Sequence, residues 1–266
     1  MENFEIEQLR RLYACYSPLT TNKKLLDCYL KITNDPRQSL SSIRKAYNKN
    51  ILNGFWNEAV IKSAFVKKFC FKRSPSATVT IFELNVKSSR ADLCIINGSS
   101  MVFEIKTEYD TFARLEKQLN DYISTFDYIN MIVPESSIQQ TVEGVGDLIG
   151  IISYKKNSSG GIAFEIVREP QINNKIDSET QLSQLSISEL RNTQNLKGST
   201  SFNRSELIKN ILNDFCKDEI NEIYRNYIKN KYREKWCFLR DNRNQIYDID
   251  FQWFFKNNIP VSIVYK

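Results

Sequence analysis

Apolar side chains recur at helical spacing through the first part of the chain. Leu9, Leu12 and Tyr13 belong to one such set, and a second set covers residues 25–32. An Asn-Asp-Pro sequence at residues 34–36 interrupts the pattern. These features predict a helical N-terminal extension over residues 1–50. A longer helix is predicted for residues 52–69, where one face is again apolar.

Runs rich in β-branched residues follow and predict strands at residues 78–84, 93–96, 101–103 and 128–133. A helical stripe over residues 110–126, with Asp110 as its N-cap, separates the third run from the fourth. This order predicts an α/β fold with a mixed, mainly four-stranded sheet and a helical crossover. Two more runs, at residues 149–154 and 162–167, predict a hairpin that extends the sheet or decorates its edge.

The composition of the chain changes after residue 170. Residues 171–200 are rich in Asn, Gln, Ser and Thr, which predicts a polar connector with one short helix near residues 186–190. Residues 201–266 combine an apolar helical stripe with a basic face that tyrosines and a tryptophan interrupt. Such a face suits a phosphate backbone and unstacked bases, and it also suits a helix that packs on the main domain. The first interpretation predicts nucleic-acid contacts from Arg225, Lys229, Arg233 and Lys235.

The residue composition limits the chemistry that the chain can perform. There is no histidine, which excludes Ser-His-Asp triads, Cys-His dyads and HExxH zinc sites. The sequence lacks the glycine-rich phosphate loops of nucleotide-binding proteins. Its six cysteines are scattered without a CxxC pair, which favours reduced, packed thiols. A formal net charge of +6 favours polyanionic partners, and any hydrolysis must use carboxylates, lysine and a hard metal ion.

The sequence predicts a cytoplasmic protein without a membrane segment. Its first residues are acidic where a secretory signal would be basic, and no apolar run approaches the roughly 20 residues of a membrane span.

A predicted hairpin gathers charged side chains near its open end. Asn97-Gly98 marks the turn between two apolar runs. A loop of two, three or four residues would set Asp92 opposite residue 103, 104 or 105, so Asp92 lies within one position of Glu104 in every case. Glu104 and Lys106 are two apart on one strand and share a face. The alternative interpretation is a cross-strand ion-pair cluster on a solvated face.

Glu58 offers a further carboxylate from the helix that precedes the sheet. It lies four residues before Lys62, so the two side chains are neighbours on the helix surface. Two interpretations remain open: a surface ion pair, or a carboxylate that contributes to a metal site.

This arrangement resembles the PD-(D/E)xK nuclease superfamily. Asp92 is followed after eleven residues by Glu104-Ile105-Lys106, and a Gln118-x-x-x-Tyr122 pattern lies on the next predicted helix, as in RecB-like nucleases. The proline of the superfamily's name is absent, and Ala91 precedes the aspartate. The resemblance covers about residues 57–133. It implies a restriction-endonuclease-like core over residues 51–170 and hydrolysis of phosphodiesters with Mg²⁺ or Mn²⁺.

The resemblance also implies roles for individual residues. Asp92, Glu104 and the Ile105 carbonyl would hold the metal, with Glu58 as a further ligand. Lys106 would orient water and stabilise charge on the phosphate. Gln118 and Tyr122 would position the reacting groups, while Arg90 and Arg114 would clamp phosphates. The favoured substrate is DNA, with a role in anti-phage defence or DNA processing. RNA cleavage and a non-catalytic binding module are the alternatives. Two kinds of assembly are compatible with the sequence, a homodimer and an association with a partner helicase or ATPase.

Overall fold

The computed structural model describes residues 4–74, 77–158, 160–196 and 202–265. Its strands are β1 (Val79–Val86), β2 (Ser89–Ile96), β3 (Ser100–Ile105), β4 (Tyr128–Pro134), β5 (Gly150–Lys156) and β6 (Ile162–Arg168). Its helices are α1 (Ile6–Cys15), α2 (Asn22–Thr33), α3 (Ile43–Gly54), α4 (Glu58–Phe69), α5 (Leu115–Ile123), α6 (Ile138–Gly144), α7 (Ser178–Ser183), α8 (Ile187–Thr193), α9 (Arg204–Asp214), α10 (Lys217–Asn242), α11 (Phe251–Asn257) and α12 (Val261–Val264). Glu135–Ser137 and Asp248–Asp250 form short 3₁₀ helices.

The fold is a mixed α/β arrangement in which one six-stranded sheet is flanked by helices. The strands follow chain order across the sheet. Strands β1 to β3 are antiparallel, β3, β4 and β5 run parallel, and β6 returns antiparallel. The prediction of a mainly four-stranded sheet was wrong, because β5 pairs directly with β4 and continues the ladder. The predicted mixed sheet and the crossover between β3 and β4, which contains α5, are confirmed.

The hairpin of β2 and β3 has a three-residue loop. Ile96 pairs with Ser100 and Leu93 pairs with Phe103. Gly98 supplies a φ of 100° in this loop, a conformation that costs glycine little and most other residues more. Of the three registers that the sequence allowed, the structure therefore has the one that sets Asp92 opposite Glu104.

The N-terminal helices bury a hydrophobic core of their own. Leu12, Leu25 and Tyr47 are among its fully buried members, and the core also includes Val60 of α4. The predicted helix over residues 52–69 is in fact broken between α3 and α4. The Asn57 side chain accepts a hydrogen bond from the Val60 backbone N–H at 3.0 Å, so a new helix begins there. Glu58 consequently occupies the first position of α4.

The part of the chain that follows β6 packs against the sheet rather than extending away from it. The predicted polar connector contains α7 and α8, and its leucines Leu182, Leu185 and Leu190 are buried; residues 197–200 of it lie outside the described residues. On α10, Tyr224 and Trp236 are fully buried, and the Trp236 ring stacks on a phenylalanine from the segment after α4. Within the described ranges, no helix is both long and apolar enough to cross a membrane.

Candidate active site

Three carboxylates lie in a row across the first three strands. Phe82 pairs with Leu93 and Leu84 with Ala91, so Glu83 stands beside Asp92, and Glu104 stands on the other side of Asp92. Directly opposed residues on neighbouring strands point to the same face. Glu83 has a φ of 57°, which interrupts the regular ladder at this point. A left-handed conformation is uncommon for a residue with a side chain and often marks a functional position.

Glu104 is held by three donors. Its Oε1 accepts hydrogen bonds from Lys106 Nζ at 2.9 Å and from Gln118 Nε2 at 2.6 Å, and its Oε2 accepts one from the Tyr122 hydroxyl at 2.8 Å. Lys106 Nζ also donates to Gln118 Oε1 at 3.1 Å. Only 2% of Glu104 is exposed. The structure thus brings together four of the predicted site residues in one buried network.

Helix α5 is fixed in position by polar contacts with the first hairpin. Asp121 accepts hydrogen bonds from the hydroxyls of Ser88 and Ser89, at 3.0 and 2.6 Å. The Tyr122 hydroxyl lies 3.1 Å from the Arg90 carbonyl oxygen, its second acceptor. The helix begins at Leu115, later than predicted. Asp110 is not its N-cap, because this carboxylate accepts hydrogen bonds from the backbone N–H and the hydroxyl of Thr107.

A second cluster forms around the ammonium group of Lys62. Lys62 Nζ lies 3.1 Å from Asp92 Oδ1 and is also paired with Glu58 and Glu83. One oxygen from each of these three carboxylates lies within 4.8 Å of the others. The ion pair that sequence spacing allowed is therefore present, but it is only half at the surface, because Lys62 is 1% exposed while the Glu58 side chain is 46% exposed. The other interpretation, a carboxylate offered to a metal, is compatible with this geometry.

Burial and neighbouring charges shape the ionisation of this cluster. Burial raises the pKa of Asp92 well above its usual range, Glu104 and Glu58 add to the effect, and Lys62 opposes it. Burial alone would lower the pKa of Lys62, but the surrounding carboxylates raise it overall. Burial also opposes ionisation of Glu58, yet the adjacent Lys62 charge keeps the pKa of Glu58 below its usual range. Lys62 is therefore a cation in the folded protein.

The Tyr122 hydroxyl acts as a hydrogen-bond donor. Burial raises its pKa far above the usual value, and the charge of Glu104 raises it further. Tyr122 consequently keeps its proton at neutral pH and holds Glu104 rather than serving as a base. Asp92, on the other side, uses its Oδ2 to accept a hydrogen bond from the Ile105 N–H at 2.7 Å.

The predicted phosphate-binding residues are divided between exposed and structural positions. Arg90 and Arg114 are exposed, and Arg90 pairs with Glu83. Arg225 Nη1 lies 3.3 Å from the buried carboxylate of Asp127, and Lys235 Nζ donates to the Lys256 carbonyl oxygen. Lys229 is half-buried and Arg233 is exposed on α10. Because the aromatic residues Tyr224 and Trp236 are buried, they are not available to stack on bases.

Sequence analysis did not identify Glu83 as a site residue, and it named Lys62 only as the neighbour of Glu58. Glu83 lies inside a run of apolar and β-branched residues, which predicts a strand but no site. Its position beside Asp92 depends on how β1 pairs with β2. A lysine on the predicted apolar helix could have been suspected, because Ile61, Phe65 and Val66 surround it in the sequence. The sequence spacing pairs Lys62 with Glu58, but it does not reveal that Glu83 and Asp92 also contact Lys62.

The fold and site define a mixed α/β protein in which acidic and lysine side chains cluster near the C-terminal end of β3. The chain belongs to the family described as bacteriophage P4 protein cII, whose model matches residues 53–253. A curated relative, "Protein cII" of Enterobacteria phage P4, is 27% identical over 179 residues, which cover 66% of this chain and 67% of the relative. A solved protein of unknown function from Silicibacter pomeroyi gives a TM-score of 0.31 at 15% identity, and the match covers 48% of this chain and 87% of that one.

Proposed function

We propose that this chain is a divalent-metal-dependent nuclease with a restriction-endonuclease-like core, acting on DNA in anti-phage defence or DNA processing. The observation that supports it best is the row of Glu83, Asp92 and Glu104, with Lys106 bound to the last of them. Two acidic side chains on paired strands, followed by a lysine two residues on, match the pattern of the PD-(D/E)xK nucleases.

The donor atoms suit a hard cation. Carboxylate oxygens and a backbone carbonyl are the ligands that Mg²⁺ and Mn²⁺ take in proteins. Glu58, Glu83 and Asp92 have carboxylate oxygens close enough together to hold one ion. Glu104 and the Ile105 carbonyl, on the other side of Asp92, would supply the remaining oxygens. A bound ion of this kind supplies Lewis acidity toward a phosphate and activates water.

The Lys106 ammonium would donate a hydrogen bond to a phosphate. An ammonium group has three N–H donors, and two of them are used on Glu104 and Gln118. The third can donate to a phosphate oxygen or to the attacking water, where charge develops during hydrolysis. Gln118 and Tyr122 hold the Glu104 carboxylate in one orientation, which limits the reorganisation that the site needs when substrate binds.

The test is incubation of the purified protein with supercoiled plasmid, linear DNA and RNA in Mg²⁺, Mn²⁺ or EDTA. We expect cleavage that requires the metal and is lost in Glu104→Gln and in Lys106→Met. Glu116→Gln and Lys117→Met are matched controls, because both residues are exposed on α5. Cleavage that survives in EDTA, or in both site variants, would overturn the proposal. Cleavage of RNA alone would assign the same chemistry to the other substrate.

One observation favours a second candidate, a non-catalytic nucleic-acid-binding module of the same fold. The Lys62 ammonium already neutralises part of the acidic cluster, so the fold has an internal cation where a nuclease would need an external one. Binding of DNA without cleavage under every metal condition would support this candidate.

A further inference from the structure

A cleft of about 630 Å³ lies between the N-terminal helices and the hairpin of β5 and β6. Lys45, Lys49 and Asn53 of α3 line one side, and Lys156 at the end of β5 lines the other. Asn50 adds an amide that also bonds the hydroxyl of the buried Tyr29 at 2.8 Å. The cleft is separate from the acidic cluster. Its basic side chains surround a lining that also includes the apolar side chains of Phe4, Leu9 and Ala46.

Three of the lining cations have no acidic partner among the described residues. Lys45 and Lys49 are four apart on α3 and therefore lie on the same side of the helix. Both are exposed, as is Lys156, and none of the three takes part in an ion pair in the part of the chain that the structure describes. Arg37, at the rim, is instead paired with Asp35 at 2.7 Å. The cleft thus carries an excess of positive charge that an anionic ligand would compensate.

Two segments of the chain, the end of β5 and the junction of α3 with α4, connect this cleft to the candidate active site. On β5, the Tyr154 hydroxyl lies 3.5 Å from the Lys106 carbonyl oxygen, and Lys156 follows two residues later on the same side of the strand. At the junction of α3 and α4, Asn53 lines the cleft while Glu58, five residues on, contacts Lys62. Residues that line the cleft are therefore joined to the candidate site through Tyr154, which contacts Lys106, and through the short segment between Asn53 and Glu58.

We infer that the cleft binds the sugar-phosphate backbone of a single nucleic-acid strand and leads it to the active site. Phosphates would pair with Lys45, Lys49 and Lys156, and the amides of Asn50 and Asn53 would donate to the strand. The volume is that of a site that encloses a small ligand or a short chain segment, so it takes one strand rather than a duplex. The inference extends the proposed function, from which it takes the expectation of a nucleic-acid substrate.

The test measures binding of a short fluorescein-labelled DNA strand by fluorescence anisotropy over a series of salt concentrations. EDTA is present throughout, so that cleavage plays no part in the readout. The cleft variant is Lys45→Gln, Lys49→Gln and Lys156→Gln combined. Its matched control is Lys23→Gln, Lys24→Gln and Lys31→Gln, three exposed lysines of α2 that do not line the cleft. Both variants lose the same charge.

We expect the cleft variant to bind the strand about tenfold or more weakly and the slope of log K against log salt to fall by about 2, since each phosphate contact to a single strand contributes about 0.7. The control variant should change affinity by less than about twofold, and a duplex of the same sequence should bind the wild-type protein more weakly than the strand does. Equal losses in the two variants, an unchanged cleft variant, or no binding by the wild type would overturn the inference. Displacement of the strand by equimolar AMP would reassign the cleft to a mononucleotide.

These outcomes are independent of the nuclease test. A cleft variant that loses binding in a protein that never cleaves would support the cleft and refute the nuclease. Metal-dependent cleavage with unchanged binding in the cleft variant would do the reverse.

Discussion

Lys62 Nζ lies 3.1 Å from Oδ1 of Asp92 at the centre of the candidate site. The same ammonium pairs with Glu58 and Glu83 and lies 3.2 Å from Gln252 Oε1 of α11. One buried cation therefore joins α4, the first two strands and the C-terminal helices. Around it, four carboxylates face three cations (Lys62, Arg90 and Lys106), so the fully ionised site has a net negative charge. Arg90 is largely exposed and can move into solvent, whereas Lys62 is buried and cannot leave without unpairing the buried carboxylate of Asp92.

Lys62→Met is expected to destabilise the metal-free protein by about 3–5 kcal/mol, because it leaves buried Asp92 and partly buried Glu83 without their counter-charge. Millimolar Mg²⁺ or Mn²⁺ should then raise the melting temperature of the variant more than that of the wild type, since an ion that binds only the folded state stabilises it. Differential scanning fluorimetry with and without the metal gives both quantities.

Lys67→Met, on the same helix, serves as the control for this substitution. Its exposed pair with Asp248 should contribute less than about 1 kcal/mol. If neither protein responds to either metal, the carboxylates around Lys62 do not form an ion-binding site.

Tyr122→Phe tests how Glu104 is held. The substitution removes the hydroxyl that donates to Glu104 Oε2, and we expect a loss of about 1–3 kcal/mol in the free energy of unfolding because the buried carboxylate loses a donor. Cleavage should fall through kcat, since the lost contact orients the site rather than binding substrate. Urea denaturation and steady-state kinetics are the measurements. Tyr128→Phe, at a half-buried tyrosine on β4, is the control and should alter neither. A variant with full activity would remove Tyr122 from the site.

Asp250→Asn tests a buried carboxylate that ties the two ends of the chain together. Asp250 accepts a hydrogen bond from the Tyr16 hydroxyl at 2.7 Å and another from the Tyr265 hydroxyl. Burial raises its pKa to about 6, although these hydrogen bonds and the nearby Arg44 oppose the rise. The folded state therefore binds the proton more tightly than the unfolded state does, and this stabilisation is present below about pH 4 and is lost as the pH rises through 6.

The asparagine has no proton to lose at this position, so the variant should gain stability relative to the wild type between pH 4 and 7. The gain should be on the order of 3 kcal/mol, from a shift of about two pKa units. Denaturant titrations at several pH values measure this difference, with exposed Asp214→Asn as the control. A stability difference that is constant with pH would contradict the assignment.

Arg225 and Arg233 on α10 should behave differently when they are substituted. Arg225→Met removes the partner of buried Asp127 and should cost about 1–3 kcal/mol of stability without changing the salt dependence of DNA binding. Lys229→Gln with Arg233→Gln should leave stability almost unchanged and lower the salt slope if α10 contacts phosphates. Thermal denaturation and anisotropy titrations separate the two effects. An unchanged slope in the double variant would assign α10 to packing alone.

Local sequence patterns determined much of this protein. Continuous runs of β-branched and apolar residues predicted the strands, most of which are buried on both faces. Apolar residues at helical spacing predicted most of the helices. The Asn97-Gly98 turn limited Asp92 to three registers, all close to Glu104. The spacing of Gln118 and Tyr122 placed both on one side of α5, where both now contact Glu104.

The tertiary structure alone decided which distant groups meet. It placed Lys62 among carboxylates from α4, β1 and β2, set Glu83 beside Asp92, and joined Arg225 to Asp127. It also continued the sheet to six strands. The physical reason is that these contacts depend on how strands and helices pack together, while the sequence period reports only which face of each element is buried.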